Sequence, residues 1–415
     1  MTDLLRLATA GSVDDGKSTL IGRLLLDAKA VFADQLEHVE EASRRKGAAE
    51  PDLALFTDGL RAEREQGITI DVAYRYFATA RRRFVLADTP GHVQYTRNMV
   101  TGASNADLAI ILVDARHGVV EQTRRHASIA SLLRVPHLVV AVNKMDLVDW
   151  SEEVFDQIVR DFSGFRERLP GVADVRFLPI SALHGDNVVT GSEATPWYDG
   201  PPLLEHLETV ELSAEHAGVH DRPLRFPVQL VLRDQETDFR GYAGQIAGGS
   251  LQPGDPIVVL PAGIETTVAS VETADGPLED APAPLSVTVR LTEDVDVSRG
   301  DLLATPAAAP AVTREIEADV CWMAETPLRP GARLLLKHTT ATVRAIVDTI
   351  EARLDVETLN GVPAPDGLEL NDLGHLRLRT SRPLAVDAYT ENRTTGAFVL
   401  IDEGTNDTVA AGMIR

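Results

Sequence analysis

Residues 11–18, Gly-Ser-Val-Asp-Asp-Gly-Lys-Ser, contain the pattern that decides the fold. An apolar run at residues 4–10 precedes this stretch and is typical of a buried strand, whereas residues 18–21 open a helical pattern. Two glycines separated by four residues and followed by Lys17 and Ser18 form a phosphate-binding loop in this strand–loop–helix context. The N–H groups of such a loop and the N-terminus of the next helix attract phosphate groups. The stretch therefore predicts an α/β domain with a mostly parallel sheet and helices on both faces.

Lysine is rare in this chain, and its positions support a nucleotide site. The chain has five lysines, of which Lys17 and Lys144 fall in nucleotide-binding motifs. This placement argues against the alternative of an ordinary glycine-rich turn ahead of a helix. We expect Lys17 to reach the β- and γ-phosphates as a catalytic group, and the Ser18 hydroxyl to coordinate Mg²⁺. The loop residues predicted to bind the nucleotide are Gly11, Ser12, Val13, Asp14, Asp15, Gly16, Lys17, Ser18 and Thr19.

Two later segments have the composition of switches that sense the last phosphate of a nucleotide. The first is a Gly-Ile-Thr-Ile run, in which the Thr69 hydroxyl is predicted to bind Mg²⁺ and to act in catalysis. The second is Asp-Thr-Pro-Gly-His at 88–92, which follows a strand-like run. In it, Asp88 is predicted to hold the Mg²⁺ shell through water, and the Gly91 N–H to bind the γ-phosphate. His92 is predicted to orient the attacking water; the alternative is a solvent-exposed histidine at a helix start.

A base-recognition motif, Asn-Lys-Met-Asp at 143–146, ends a further strand-like run. The Asp146 carboxylate can accept hydrogen bonds from guanine N1–H and the 2-amino group, whereas adenine offers neither donor. Sites of this kind reject the wrong ligand by on the order of 10⁴-fold. Lys144 is expected to lie along the base plane, and Asn143 to tie this loop to the phosphate-binding loop. The motif therefore predicts guanine as the base.

A fifth element completes the predicted site. The tripeptide Ser181-Ala182-Leu183 follows another strand-like run, and one of its backbone N–H groups is expected to meet guanine O6. Each of the five elements falls on a loop after a strand, where open α/β sheets bind their ligands. The predicted ligands are therefore GTP and Mg²⁺, and the predicted fold of this part is an α/β P-loop GTPase domain.

Beyond residue 212 the pattern changes from alternating strands and helices to short β-rich runs divided by Gly and Pro turns. Spacing of this kind is typical of small antiparallel barrels. A segment rich in Ala and Pro, residues 304–311, is predicted to be a linker. We therefore expect a GTP-binding domain at 1–212, a first β-barrel domain at 222–304 and a second at 312–415.

Composition restricts the partners and the compartment. The chain has 63 acidic and 40 basic residues, a formal charge of −23, and such a surface repels nucleic-acid backbones. Cys321 is the single cysteine, which suits a reducing compartment. No apolar run reaches membrane-spanning length, and the first residues lack the basic region of a signal peptide. We expect a cytoplasmic protein that binds neither nucleic acid nor membrane.

The motifs resemble those of the translation-factor class of GTPases, which includes elongation factor Tu. Longer stretches, at 11–25, 57–77 and 94–99, are similar to one branch of that class. This branch is the large, GTPase subunit of bacterial ATP sulfurylase, also called sulfate adenylyltransferase subunit 1. The Asp15 position separates the chain from elongation factors, which typically carry His there. The likeness covers essentially the whole chain.

This resemblance has implications for single residues and for partners. It implies that His92 places the hydrolytic water, that Val13 and Ile68 form an apolar gate in front of it, and that Asp14 helps to order the loop. It also implies a smaller catalytic subunit (CysD), with which the chain would form a heterodimer or a multiple of one. The implied function is the coupling of GTP hydrolysis to the synthesis of adenosine 5′-phosphosulfate and pyrophosphate from ATP and sulfate.

Two other functions remain open at this point. One is a translation elongation factor-type GTPase that delivers aminoacyl-tRNA, because its GTP-binding domain would look similar. Such a carrier needs a basic surface, and the sequence pI of about 4.9 argues against it. The other is a regulatory GTPase that has no catalytic partner.

Overall fold

The computed structural model divides the chain into two units, the first within residues 1–212 and the second within residues 213–415. At Thr96 and Arg97 it describes the backbone alone. The residues that the structure describes are 4–28, 53, 72–90, 96–211, 222–234, 239–355, 360–363 and 367–415.

The first unit is built on a six-stranded sheet. Its strands are β1 (Leu4–Ala10), β2 (Ala73–Ala78), β3 (Arg83–Asp88), β4 (Leu108–Asp114), β5 (His137–Asn143) and β6 (Asp174–Pro179). Their spatial order is β2-β3-β1-β4-β5-β6, and every neighbouring pair is parallel except β2 and β3. Every residue of β4 and β5 is buried, which explains why both read as unbroken apolar runs.

Five helices of this unit are described, and the longest shows how local sequence sets their limits. They are α1 (Lys17–Asp27), α2 (Thr96–Ala103), α3 (Glu121–Leu132), α4 (Glu152–Arg166) and α5 (Leu203–Thr209). The Ser151 hydroxyl accepts a hydrogen bond from Val154 N at 3.3 Å, which satisfies one free donor at the start of α4. Acidic residues occupy the first turn of α4 and Arg166 its last turn, as the helix dipole favours.

The core of the first unit fixes the base of the phosphate-binding loop. Leu20, Ile21 and Leu24 of α1 are fully buried in one apolar cluster with Leu5 and Leu7 of β1. Burying each such side chain is worth about 1.5–3 kcal/mol. The loop between β1 and α1 therefore starts and ends on elements that packing holds in place.

The second unit begins with an antiparallel barrel. Its strands are β7 (Arg225–Asp234), β8 (Phe239–Gln245), β9 (Ser250–Leu251), β10 (Pro256–Leu260), β11 (Ile264–Thr273), β12 (Gly276–Leu278), β13 (Ala281–Pro282), β14 (Ser286–Leu291) and β15 (Leu302–Ala304). Seven of them follow the order β10-β15-β7-β8-β14-β11-β12, and β10 also pairs with β11. This extra pairing closes the sheet, while β9 and β13 form a separate two-stranded ribbon.

A second antiparallel barrel follows in the same unit. Its strands are β16 (Ala311–Trp322), β17 (Arg333–His338), β18 (Ala341–Leu354), β19 (Gly361–Val362), β20 (Leu373–Val386), β21 (Ala397–Ile401) and β22 (Thr408–Ile414). Their order is β17-β21-β22-β16-β20-β18-β19, and pairing of β17 with β18 closes the barrel. Alternate residues of the strands, such as Leu376 and Leu378, fill its interior.

The predicted fold class, an α/β P-loop domain followed by two antiparallel barrels, is confirmed. The domain limits expected at 212, 222, 304 and 312 stay a prediction, because both barrels fall in one unit. Within the part of the chain that the structure describes, no helix has both the length and the apolar character needed to cross a bilayer.

Candidate nucleotide site

The loop between β1 and α1 is held in a tight curl by its backbone. Asp14 and Gly16 both have left-handed φ angles, 70° and 89°. At Gly16 the curl brings the chain against Asn143, since a Cβ at Gly16 would lie 2.4 Å from Asn143 Nδ2. The α-helical hydrogen bonds begin at once, with Leu20 N donating to Gly16 O at 2.9 Å. Glycine is needed at position 16 because of the left-handed φ and because a side chain there would collide with Asn143.

Inside the curl, Asp15 joins the two sides of the loop. Ser12 N donates to Asp15 Oδ2 at 2.6 Å, and Asp15 N donates to Ser12 O at 3.2 Å. Burial raises the pKa of the Asp15 carboxyl, and the Ser12 N–H opposes that shift. Val13 is 44% exposed at the tip of the loop.

Lys17, the lysine of the phosphate-binding loop, lies against the end of a neighbouring strand. Lys17 Nζ donates to Asp88 Oδ1, and both side chains are buried, at 7% and 1% exposed. β3 lies beside β1 in the sheet, so the last residue of β3 faces the first residue of α1. Thr89, which follows Asp88, is anchored because its hydroxyl donates to Thr9 O at 2.6 Å. Ser18 and Thr19 occupy the first turn of α1 and are half-buried.

Asn143 connects three of the predicted loops. Its side-chain Nδ2 donates to Asp15 O at 2.7 Å, and its Oδ1 accepts from Ala182 N at 2.9 Å. The phosphate-binding loop, the base-recognition motif and the Ser181 segment therefore meet at one amide. Asn143 is 2% exposed, so neither bond is exchanged easily for water.

The remaining base-recognition residues lie at the open side of this junction. Lys144 has a left-handed φ of 64°, and its Nζ donates to Asp14 O. The Asp146 side chain is 19% exposed, compared with 2% for Asn143, and its Oδ2 lies 3.8 Å from His184 Nε2. Leu183 is 47% exposed. A buried frame thus carries an accessible carboxylate, which suits recognition of a polar ligand edge.

Four predicted residues lie outside the described part of the chain. They are Thr69, Gly91, His92 and Ile68, the predicted partner of Val13 in an apolar gate. Their predicted contacts with Mg²⁺, the γ-phosphate and the attacking water therefore remain predictions.

Sequence reasoning missed two groups that the structure brings to the site. Asp114, the last residue of β4, accepts hydrogen bonds from Lys144 Nζ at 2.9 Å and from Arg116 Nη2 at 2.6 Å. The Arg23 guanidinium of α1 donates to the carbonyls of Ala182 and Leu183. The sequence did contain a signal for Asp114, because it is an acidic residue at the end of an apolar strand, as Asp88 is. Nothing in the sequence indicated a role for Arg23, since a single arginine within a predicted helix is common.

The charge on Asp114 is strongly stabilised. Burial favours the neutral acid, but hydrogen bonds from the Arg116 side chain and backbone and from Lys144 outweigh it. Together they hold the pKa of Asp114 well below its usual range. Asp114 is therefore ionised at neutral pH.

The residues present fit a magnesium–nucleotide ligand. Carboxylate and hydroxyl oxygens, which Asp88 and Ser18 supply, are the donors that Mg²⁺ prefers. The left-handed backbone at Asp14 and Gly16 and the close approach at Gly16 fit a loop that is shaped around phosphate groups.

Known proteins are similar to the chain over nearly its whole length. The bifunctional enzyme CysN/CysC of Mycobacterium tuberculosis is 57% identical over 100% of this chain and 67% of its own length. Sulfate adenylyltransferase subunit 1 of Cronobacter sakazakii is 52% identical over 99% of this chain and 86% of its own length. The bifunctional enzyme NodQ of a Rhizobium species is 51% identical, over 99% and 64%. The chain thus spans about two thirds of the two bifunctional relatives.

Two family models also match. Residues 2–215 match the model described as "Elongation factor Tu GTP binding domain", and residues 315–415 match "GTP-eEF1A C-terminal domain-like". The class of the protein is therefore that of the elongation factor Tu-type GTPases, and the chain binds GTP. Within this class the relatives narrow the assignment: the chain belongs to the sulfate adenylyltransferase subunit 1 family of enzymes. The family expected from the sequence is confirmed.

Proposed function

We propose that the chain is the GTPase subunit of a sulfate adenylyltransferase. It hydrolyses GTP to GDP and phosphate and couples this reaction to the synthesis of adenosine 5′-phosphosulfate and pyrophosphate from ATP and sulfate. A smaller catalytic subunit (CysD), bound as a heterodimer or a multiple of one, carries out the second reaction. The observation that carries this proposal is the convergence of Lys17, Asp88, Asn143 and Lys144 at one edge of the first sheet, in a chain of this family.

Coupling has a thermodynamic reason. The sulfate–phosphate anhydride of adenosine 5′-phosphosulfate is far less stable than the anhydride bonds of ATP, so the transfer of the adenylyl group to sulfate is uphill. In that transfer a sulfate oxygen bonds to the α-phosphorus of ATP and pyrophosphate leaves. Hydrolysis of GTP is downhill, with water attacking the γ-phosphorus and GDP leaving. A subunit that links the two reactions draws the first one forward.

The chain's own groups have distinct tasks in this proposal. Lys17 exchanges its contact with Asp88 for the β- and γ-phosphates and neutralises charge that develops on the leaving GDP. Mg²⁺, held through Ser18, Thr69 and Asp88, supplies further neutralisation of phosphate charge when it is bound. Asp146 binds the guanine edge. His92 orients the attacking water, and the Gly91 N–H binds the γ-phosphate.

The proposal is tested by co-expressing the chain with the smaller subunit. Sulfate-dependent release of pyrophosphate from ATP is measured with and without GTP, and GTP hydrolysis is followed in the same samples. We expect GTP to increase pyrophosphate release. Lys17→Ala is expected to abolish both GTP hydrolysis and this increase, because the ammonium that meets the phosphates is lost. Lys337→Ala, which removes an exposed lysine on β17 of the second unit, is the matched control and should change neither.

The outcomes separate the possible functions. Pyrophosphate release that is independent of GTP would contradict the coupling. Co-purification of the chain with aminoacyl-tRNA instead of the smaller subunit would support the elongation-factor alternative. GTP hydrolysis with no binding to either partner would identify a regulatory GTPase.

A further inference from the structure

Asp114 is an acidic side chain at the candidate site that none of the nucleotide-binding motifs contains. It ends β4, which lies between β1 and β5 in the sheet. Its carboxylate is 2% exposed and accepts four N–H groups. Three of them, at 2.6–3.0 Å, belong to the backbone and guanidinium of Arg116, two residues along the chain. The fourth is Lys144 Nζ at 2.9 Å, thirty residues away.

These contacts have different consequences. The Arg116 bonds are local, and they fix the direction of the carboxylate on its own loop. The Lys144 bond crosses from β4 to the end of β5. The same Nζ also donates to Asp14 O in the phosphate-binding loop, so Lys144 is held between a carbonyl of one loop and the carboxylate of another. An ammonium bound to a carboxylate forms a charge-assisted bond, roughly twice as strong as a neutral one.

We propose that Asp114 is a positioning residue for nucleotide binding: it fixes Lys144 against the phosphate-binding loop, so that the base-recognition motif and the phosphate loop close on the nucleotide as one body. The inference rests on the proposed GTPase function and deepens it. Without the Asp114 anion, Lys144 keeps the single carbonyl of Asp14 as its anchor, and its left-handed backbone makes other arrangements of the loop more favourable. The nucleotide is then released faster.

Arg116 makes the arrangement more robust. Its guanidinium is 43% exposed and close enough to Asp146 for the two charges to interact. A bidentate guanidinium holds a carboxylate in one orientation, which a lysine does not. Asp114 is therefore aimed at Lys144 by a fixed partner.

A double-mutant cycle tests the inference on the full chain. The dissociation rate of mant-GDP, a fluorescent GDP derivative, is measured in the wild type, Asp114→Asn, Lys144→Ala and the double variant. We expect Asp114→Asn to increase the rate about tenfold, since a neutral amide replaces the anion in a charge-assisted bond. In the Lys144→Ala background the same change should alter the rate by less than about twofold, because Asp114 acts through Lys144.

Two controls keep the test decisive. Asp348→Asn removes an equivalent charge from an exposed pair with Arg379 in the second unit and should leave the rate unchanged. If Asp114→Asn does not fold, Asp114→Glu replaces it; the longer side chain displaces Lys144 Nζ and is expected to speed dissociation as well.

The results distinguish this inference from the proposed function. A wild-type rate in the Asp114 variant, or effects that multiply fully in the double variant, would overturn the positioning role while guanine-nucleotide binding stands. A wild-type chain that holds no mant-GDP would overturn the proposed function itself.

Discussion

The two units each bury an ion pair, and the pairs differ in the cation: an ammonium in the first unit and a planar guanidinium in the second. In the first unit, Lys17 Nζ donates to Asp88 Oδ1 at the edge of the sheet. In the second unit, Arg225 binds both carboxylate oxygens of Asp387, at 2.8 Å each, and the Thr395 hydroxyl donates to the same carboxylate at 2.5 Å. The four charged side chains of the two pairs are each less than 10% exposed.

This difference indicates what each pair is for. An ammonium has three donors around a single atom and can exchange one partner for a phosphate, whereas a planar fork on a carboxylate has no equivalent partner to exchange. Arg225 lies on β7 and Asp387 directly follows β20, so their pair joins the two barrels. We interpret the Arg225 pair as structural and the Lys17 pair as a pair to be opened by the ligand.

If the first unit holds the ligand-binding groups and the second unit the structural pair, the largest effect on ligand binding should come from the first unit. We expect it to be a change of base preference. Asp146→Asn replaces a carboxylate that is predicted to accept two hydrogen bonds from guanine by an amide that can both donate and accept. We expect the preference for GTP over xanthosine triphosphate to fall by on the order of 10⁴-fold, as measured by competition binding. The free energy of unfolding should change little, because Asp146 is partly exposed.

The matched control for this prediction is Asp149→Asn, three residues along the chain. Asp149 is exposed and has a left-handed φ of 51°, which asparagine adopts readily. It should leave the base preference unchanged. Unaltered GTP affinity in Asp146→Asn would refute the assignment of Asp146 to base recognition.

The next largest effect is expected on the free energy of unfolding of the second unit. Arg225→Ala leaves the Asp387 carboxylate buried without its counter-ion, and such losses typically cost about 3–5 kcal/mol. Urea titration monitored by hydrogen exchange of β7 and β20 should show this loss in the free energy of unfolding. Replacing both partners, as in Arg225→Met with Asp387→Leu, should cost less than the single change, because no uncompensated charge remains.

An exposed pair in the same unit provides the comparison. Arg379 lies 3.1 Å from Asp348, and its side chain is 60% exposed. Arg379→Ala should cost no more than about 1 kcal/mol. Equal costs for Arg225→Ala and Arg379→Ala would break the distinction drawn between saturated buried pairs and ordinary surface pairs.

The sequence predicted the parts of the site that are encoded locally. The phosphate-binding loop and the Asn143 motif each lie within a few consecutive residues, so spacing alone identifies them. The alternation of strands and helices before residue 212 likewise predicts the α/β class. These features depend on neighbours in the chain, which a sequence displays directly.

The remaining contacts depend on which strands become neighbours. Asp114 reaches Lys144 because β4 lies between β1 and β5, and local sequence does not state that order. Arg225 and Asp387 are 162 positions apart. Neither residue has a distinctive local setting, and only the packing of two closed barrels brings them together.

A smaller effect concerns a buried base in the first unit. His126 of α3 is 2% exposed, and burial, reinforced by the charges of Lys17 and Arg125, lowers its pKa to about 3. The unfolded chain takes up this proton near pH 6.5, so the fold loses stability as pH falls from about 6.5 towards 3. Between pH 7 and pH 5 this histidine alone should remove about 2 kcal/mol, and His126→Leu should abolish that part of the loss.

Hydrogen exchange of β4 and β5 at the two pH values measures this loss within the first unit. An unchanged slope in His126→Leu would show that the proton is not excluded by the fold.

The smallest effect compares two glycines of the first unit. Gly16→Ala places a Cβ in a left-handed conformation, which costs about 1–2 kcal/mol, and presses it towards Asn143. The free loop can relax, but nucleotide binding has to restore the curl, so GTP affinity measured by calorimetry should fall roughly tenfold. Gly164→Ala on α4 meets no atom within 4 Å and should raise helix stability slightly, by less than about 1 kcal/mol. GTP affinity that is equal in the two variants would mean that the curl at Gly16 is not the conformation that binds the phosphates.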